Sequence, residues 1–335
     1  MFLKCYKHDT FHHRKPGAMV PFFKMFVSLA GLLPVIASLA LPGPFRSGFH
    51  LPDSILELTF KYKTEGNLII LPVLINDSVQ VDLILDTGAS NLVLFGKTFQ
   101  KYFQFVPDGK VQFSGLGSGK TLSGKLSIDN KVEINSVIGL DIPVVVVSEK
   151  NLFSALKNVD GYIGYEILQK FEIEINPARQ TISFRSPMHE RFPYGFTRIP
   201  FKVKGSRPIL DCAILLSLEQ KRLCDLMIDT GSAFGLLMMS TDEHWIDDKG
   251  RPESFARGFS GEVKGVEIKS SKIHLKNFVL DTGSSRIIRS AKRDYASIGM
   301  GILSQYSFIL NYVKGYVELR KANEVSVQDD LVSIH

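Results

Sequence analysis

The chain has 335 residues, 44% of them hydrophobic and 22% charged, a balance that belongs to globular rather than disordered protein. It is long enough for two domains of ordinary size, each with its own core. The net charge of +6 is uneven: residues 1–24 carry Lys4, Lys7, Arg14, Lys15 and Lys24 against Asp9 alone, which leaves +2 (6 − 4) for the rest and excludes a broad nucleic-acid-binding surface.

Taken in order, the chain opens with that basic stretch and runs into the uncharged segment 25–41, MFVSLAGLLPVIASLAL. The layout predicts a secretory signal over residues 1–40, with Ser38 and Ala40 as the small residues before cleavage and Met19 as an alternative start. Export to a periplasmic or extracellular space is the expectation. The rival reading is an uncleaved membrane anchor, which wants about twenty apolar residues and is poorly served by Pro34.

A linker and first strand follow over residues 41–65. Leu68 to Ile75 and Val79 to Leu85 then alternate or run apolar around the turn Asn76-Asp77-Ser78, a hairpin that feeds directly into Asp86. Beyond it, residues 91–105 are apolar and aromatic without helical period. Val111 to Ser127 is rich in glycine, and Ile142 to Val147 is strongly β-branched.

The stretch Leu83-Ile84-Leu85-Asp86-Thr87-Gly88-Ala89-Ser90 returns as Leu226-Met227-Ile228-Asp229-Thr230-Gly231-Ser232-Ala233. Each copy delivers one carboxylate from a buried apolar strand into a turn, where glycine permits a backbone that a Cβ would resist. Two carboxylates in one water-poor site share a proton and titrate as a coupled pair. The ionised member can take a proton from water while the protonated one hydrogen-bonds a carbonyl, so hydrolysis through them needs neither metal nor cofactor.

A second repeat is ungapped. Ile163-Gly164-Tyr165-Glu166-Ile167-Leu168 aligns with Ile298-Gly299-Met300-Gly301-Ile302-Leu303 at an offset of 135 (299 − 164), which also carries Phe171 onto Tyr306, Asn176 onto Asn311 and Arg185 onto Arg320. Gene duplication is the economical reading. Short β-branched strands and frequent turns predict a mainly β protein of two homologous barrel-like lobes, at residues 66–190 and 205–322. A Pro- and Gly-broken connection lies at 191–204 and a tail at 323–335.

At these residues the chain resembles the aspartic protease clan, over roughly residues 66 to 320. Its short lobes are more similar to retropepsin-like bacterial proteins than to full-length pepsins. The resemblance implies an inter-lobe cleft with Asp86 and Asp229 at its floor, acting in an endopeptidase on extended peptide or protein substrates. With both acids in one chain, a monomer suffices. It assigns Thr87 and Thr230 to a grip between the lobes, Gly88, Ala89, Ser90, Gly231 and Ser232 to the shell of the site, and Ile163, Gly164, Ile298 and Gly299 to packing beneath the two catalytic loops. It further suggests a substrate flap at Ser114 to Gly124, with Gly115, Gly117 and Gly119 but without the flap tyrosine of pepsins, and a weaker counterpart at Phe259-Ser260-Gly261. A catalytically silent module binding peptides or another ligand on the same scaffold is the alternative.

A third triplet, Asp281-Thr282-Gly283, is locally as good as the first two, and spacing argues against it. It precedes Gly299 by 18 residues (299 − 281), against 78 (164 − 86) and 70 (299 − 229) for the other two. At the 135 offset it falls on Val146, inside a strand. Gly115-Leu116-Gly117-Ser118-Gly119-Lys120-Thr121 is one residue short of a phosphate-binding loop. The histidines show no metal-ligand spacing, and nothing resembles a nucleic-acid module. Cys212 and Cys224 stand equally far from the turn centred on Leu218, opposite one another across a hairpin, as either a disulfide or two reduced thiols.

Overall fold

The structure is a computed structural model that describes residues 2–3, 47–114, 121–149, 156, 158–189, 191–215, 221–241, 252–258, 261–269, 272–275, 278–289 and 294–322. Every element considered below belongs to one compact unit, Met1–Leu3 with Ser47–His335; the other unit, Lys4–Arg46, lies outside the described residues, and with it all of the expected signal segment except residues 2–3, which pair with Ser114 and Phe113. No helix among the described residues is long and apolar enough to cross a membrane.

The fold is mainly β. One ten-stranded sheet runs in the order Phe2–Leu3, Lys110–Ser114, Leu122–Ile134, Val137–Val147, Leu92–Phe95, Gly161–Ile163, Val79–Leu85, Leu68–Ile75 and Lys63–Glu65, with Gly48–His50 attached to Val137–Val147. The second runs Glu253–Gly258, Gly261–Lys269, Ser284–Arg289, Leu236–Ser240, Tyr295–Gly299, Lys221–Asp229, Arg207–Leu215, Lys272–Leu275 and Phe278–Asp281, with Lys202–Lys204 attached to Arg207–Leu215. Each sheet with its connections forms one lobe, and the central order is the same in both.

The register explains the apolar runs. Val79–Leu85 is paired on one side with Leu68–Ile75, antiparallel from Ile75↔Val79 to Ile70↔Ile84, and on the other with Gly161–Ile163, parallel at Leu83, Ile84 and Leu85. A strand held between two neighbours and covered on both faces reads as continuous rather than alternating hydrophobicity. Leu83, Ile84 and Leu85 are accordingly buried. The expected turn between the first two strands is present, with Asn76 and Asp77 both at positive φ, a conformation these two side chains tolerate. In the second lobe Leu226 to Asp229 run parallel to Ala296 to Gly299, the same arrangement one repeat later.

The two lobes share a third sheet of six strands, in the order Thr197–Pro200, Tyr316–Lys321, Tyr306–Asn311, Glu172–Asn176, Thr181–Arg185 and Glu57–Lys61. The hairpins that follow the Ile163-Gly164 and Ile298-Gly299 repeats meet here, Glu172 opposite Asn311 and Ile175 opposite Phe308. The seam carries a buried polar knot: Asn311 Nδ2 donates to Glu172 Oε2 at 3.1 Å and the Tyr316 hydroxyl donates to the same oxygen at 2.5 Å. Arg185 is buried beside it and donates to Glu174 at 2.7 Å.

Two details differ from the sequence reading. The stretch 191–204 holds two strands, Thr197–Pro200 in the shared sheet and Lys202–Lys204 in the second lobe. Prolines that break a periodic pattern are still compatible with extended backbone at a sheet edge. Asp281 also does not fall in the place of Val146. It ends the outer strand Phe278–Asp281 opposite Lys272, and the strand that follows, Ser284–Arg289, fills the position of the first lobe's late strand beside Leu236–Ser240. The offset of 135 holds near Gly299 and fails further back because the two lobes have loops of different length.

Candidate active site

Asp86 directly follows the strand Val79–Leu85 and Asp229 is the last residue of Lys221–Asp229, each where the ladder ends and the chain turns. The Asp86 N–H still donates to the Ile163 carbonyl at 2.8 Å, and Ala89 N–H closes the turn on the Asp86 carbonyl at 3.0 Å. Ser232 N–H does the same to Asp229 at 3.2 Å. Tyr165 N–H donates to the Ala89 carbonyl at 2.9 Å and Met300 N–H to the Ser232 carbonyl at 2.7 Å, so each short helix after the Ile-Gly pair is tied to the loop above it.

Those ties bring backbone onto backbone. A Cβ placed on Gly164 would stand 2.2 Å from the Asp86 carbonyl oxygen and 2.5 Å from that of Ala89. On Gly299 it would meet the Phe234 and Ser232 oxygens at 2.4 and 2.5 Å. Glycine at both positions is therefore a steric requirement of the loops that carry the acids. Ile163 and Ile298 are fully buried beside them.

The loops are locked together by their threonines, both inaccessible to solvent. Thr87 Oγ1 donates to the Ile228 carbonyl at 2.7 Å and accepts from Thr230 N–H at 3.0 Å. Thr230 Oγ1 donates to the Leu85 carbonyl at 2.6 Å and accepts from Thr87 N–H at 3.0 Å. Four hydrogen bonds thus cross between the lobes, each hydroxyl donating one and accepting one.

The lock sets the acids face to face. The Gly231 α-carbon lies against the Asp86 carboxylate, so close that a Cβ there would meet its oxygens at 2.5 and 2.8 Å. A Cβ on Gly88 would lie 2.9 Å from Asp86 Oδ1 and 3.8 Å from Asp229 Oδ1. The Gly88 N–H donates to Asp86 Oδ1 at 2.6 Å. Burial pushes Asp86 above the usual carboxylate range. Asp229 is pushed up to about 7, first by burial and then by the charge of Asp86. Ala89 is buried, whereas Ser90 and Ser232 are partly open.

The third triplet has none of this. Asp281 is exposed and accepts from Gly283 N–H at 3.1 Å within its own turn, where Gly283 has a φ of 61°. The strands Lys110–Ser114 and Leu122–Ile134 pair as the arms of a hairpin, Val111 opposite Gly124, but Gly115, Gly117 and Gly119 lie outside the described residues. So do Phe259 and Ser260 between the paired strands Glu253–Gly258 and Gly261–Lys269. Cys212 and Cys224 are opposite one another, as the spacing predicts, with their sulfurs 3.4 Å apart and unbridged. Among the described residues no cluster of His, Cys, Asp or Glu could hold a metal ion.

Three groups escaped the sequence reading. Arg207 reaches across from the second lobe, its Nε donating to the Gly88 carbonyl at 3.3 Å. Tyr312, from the turn between the strands Tyr306–Asn311 and Tyr316–Lys321, donates to the Thr87 carbonyl at 3.5 Å. Glu166, under the first catalytic loop, accepts from Asn91 Nδ2 at 3.3 Å, and burial pushes it up to about 8. Only Glu166 left a sequence signal: it breaks the otherwise apolar match with the second repeat, where Gly301 stands in its place.

Residues 71–167 match the family model described as aspartyl protease. No curated protein matches the chain. Among solved structures, the aspartic proteinase from Irpex lacteus shares 13% identity with a TM-score of 0.55, over 81% of this chain and 99% of that one. The family-model match lies within the first lobe, and the structural likeness shows the fold of an aspartic proteinase across both lobes.

Proposed function

We propose that the chain is an exported aspartic endopeptidase in which Asp86 and Asp229 together activate a water molecule. The observation that carries the reading is the four-bond threonine lock, which holds two buried carboxylates on one spot from opposite lobes. Their environments divide the labour. Asp86 accepts a short hydrogen bond from the Gly88 N–H, which favours its ionised form. Asp229, held up by burial and by the charge of Asp86, keeps the proton.

Water attacks the substrate carbonyl carbon as Asp86 takes one of its protons, and Asp229 protonates the carbonyl oxygen, giving a neutral geminal diol. Asp86 then passes its proton to the amide nitrogen as the C–N bond breaks, and a diol hydroxyl returns a proton to Asp229. The pair regains its starting state without metal or cofactor.

The substrate is an extended peptide or protein segment, which suits two sheets whose strands end at the site and a hairpin beside it. Because one chain carries both acids, a monomer suffices for activity. Residues 1–40 supply the export signal, cleaved before Leu41, or a membrane anchor if they are retained. The direct test compares a statine-type peptide with its matching substrate peptide in a binding titration. Proteolysis through the dyad predicts tighter binding of the transition-state mimic by about a hundredfold or more. Equal affinities would favour a silent peptide-binding module.

A further inference from the structure

Arg207 stands at the start of Arg207–Leu215, the second lobe's counterpart of Leu68–Ile75 in the first. The hairpin before it turns on Gly205 and Ser206, both at positive φ (56° and 68°), which sets Lys204 opposite Arg207. From that fixed root the side chain crosses to the other lobe and bonds the Gly88 carbonyl. Gly88 is the residue whose N–H holds Asp86 and whose α-carbon lies within reach of both carboxylates. The guanidinium is therefore one peptide unit from the dyad, partly buried, and charged at every working pH.

We propose that Arg207 is a positioning residue that pins the Gly88 carbonyl across the lobe boundary and sets a permanent positive charge against the single negative charge of the dyad. This rests on the peptidase reading above. Burial raises both carboxylates and so narrows the pH range in which one of the pair is ionised and can act as base. A fixed cation counters that tendency, and Arg207 pulls Asp86 and Asp229 in the same downward direction, against their burial. Among the described residues, the other titratable groups around the loops are Tyr312 on the Thr87 carbonyl, Tyr165 against the Tyr312 ring, Tyr162, and Glu166 beneath the first loop. Tyr312 and Tyr162 are driven well up by burial and remain neutral phenols. Glu166 also holds its proton through the acid range. None of these four supplies positive charge.

The test is the pH profile of kcat/KM for the full chain and for Arg207→Gln and Arg207→Lys, with an unstructured peptide as substrate. With Gln, both limbs of the bell move up by about one pH unit, because the ionised dyad has lost its counter-charge. With Lys, the limbs stay near those of the parent while KM rises, because the charge remains and the planar contact to Gly88 is lost. A Gln profile superimposable on the parent's and uniformly lowered would overturn the proposal; so would a Lys variant whose limbs move as far as those of Gln. Should Gln fail to fold, the Lys variant decides alone: limbs in place with a raised KM bear the proposal out, and limbs that move by about one pH unit, or an unchanged KM, overturn it.

If the parent cleaves nothing at any pH, the peptidase reading fails, and melting temperature against pH decides on Arg207 independently. The parent should gain over Arg207→Gln as pH rises through the dyad's ionisation, and that gain should vanish when Asp86→Asn and Asp229→Asn are added. A gain that persists in their absence would overturn the proposal.

Discussion

Replacing Thr87 by Val keeps the shape of the side chain and removes one oxygen from the centre of the lock. The structure says what is lost: the Ile228 carbonyl loses its donor at 2.7 Å and the Thr230 N–H its acceptor at 3.0 Å, both around a side chain with no solvent exposure. A buried backbone group left without a partner costs about 1–3 kcal/mol, so the two together should cost about 2–6 kcal/mol, a large share of the stability of a domain. Thr87→Ser keeps the hydroxyl and loses only a methyl, for about 1 kcal/mol. Urea unfolding followed by tryptophan fluorescence and by far-UV circular dichroism measures both. A Val variant within 1 kcal/mol of the parent, or a Ser variant as damaged as Val, would refute the view that these hydroxyls satisfy the opposite lobe's backbone. Thr230→Val should repeat the result through the Leu85 carbonyl and the Thr87 N–H.

Stability should also depend on pH through Asp229. Its folded value near 7 lies above its ordinary 3.8, so the folded state binds the proton more tightly; the stabilisation is complete below about pH 4 and is lost as pH rises through 7. At about 1.4 kcal/mol per unit the loss is on the order of 4 kcal/mol, and Asp229→Asn should flatten it; parallel curves for parent and variant would contradict the assignment. Gly164→Ala should cost about 3 kcal/mol or more, because its Cβ would press on two backbone oxygens that cannot rotate away, whereas Gly205→Ala, with open space and only a positive φ to resist it, should cost about 1 kcal/mol by thermal unfolding. Mild oxidation should close Cys212 and Cys224 into an intramolecular disulfide, since they face one another at 3.4 Å; thiol labelling of the oxidised protein should then fall to Cys5 in the uncleaved chain and to none after cleavage before Leu41, and continued labelling of the pair would count against it.

The fold was legible where local pattern and tertiary demand coincide. The hairpin Leu68 to Leu85 could be read because a central strand needs apolar residues on both faces and Asn-Asp-Ser suits the turn. The Ile-Gly repeats could be read because a glycine forced by backbone contact tolerates no replacement in either lobe. What the sequence hid is what depends on through-space geometry. Arg207 follows a Gly-Ser turn and precedes a proline, which in one dimension is an ordinary surface arginine; only the closing of the second lobe on the first puts it at Gly88. Asp281 misleads in the opposite sense, having the motif at the end of the sheet's outermost strand, away from the paired central strands that carry Asp229. Counting residues from Gly299 identified it as the odd member, although a constant offset gave it the wrong counterpart, because loop lengths diverge between the lobes.

The most direct test of the central claim is cleavage of an unstructured peptide library by the full chain from about pH 3 to 7, a range across which carboxylate pairs titrate. Asp86→Asn, Asp229→Asn and Asp281→Asn are assayed beside it, with circular dichroism to confirm that each is folded. The account predicts cleavage by the parent and by Asp281→Asn, and none by either of the other two. Cleavage that survives the loss of Asp86 or Asp229, or a folded parent inert at every pH, would contradict it.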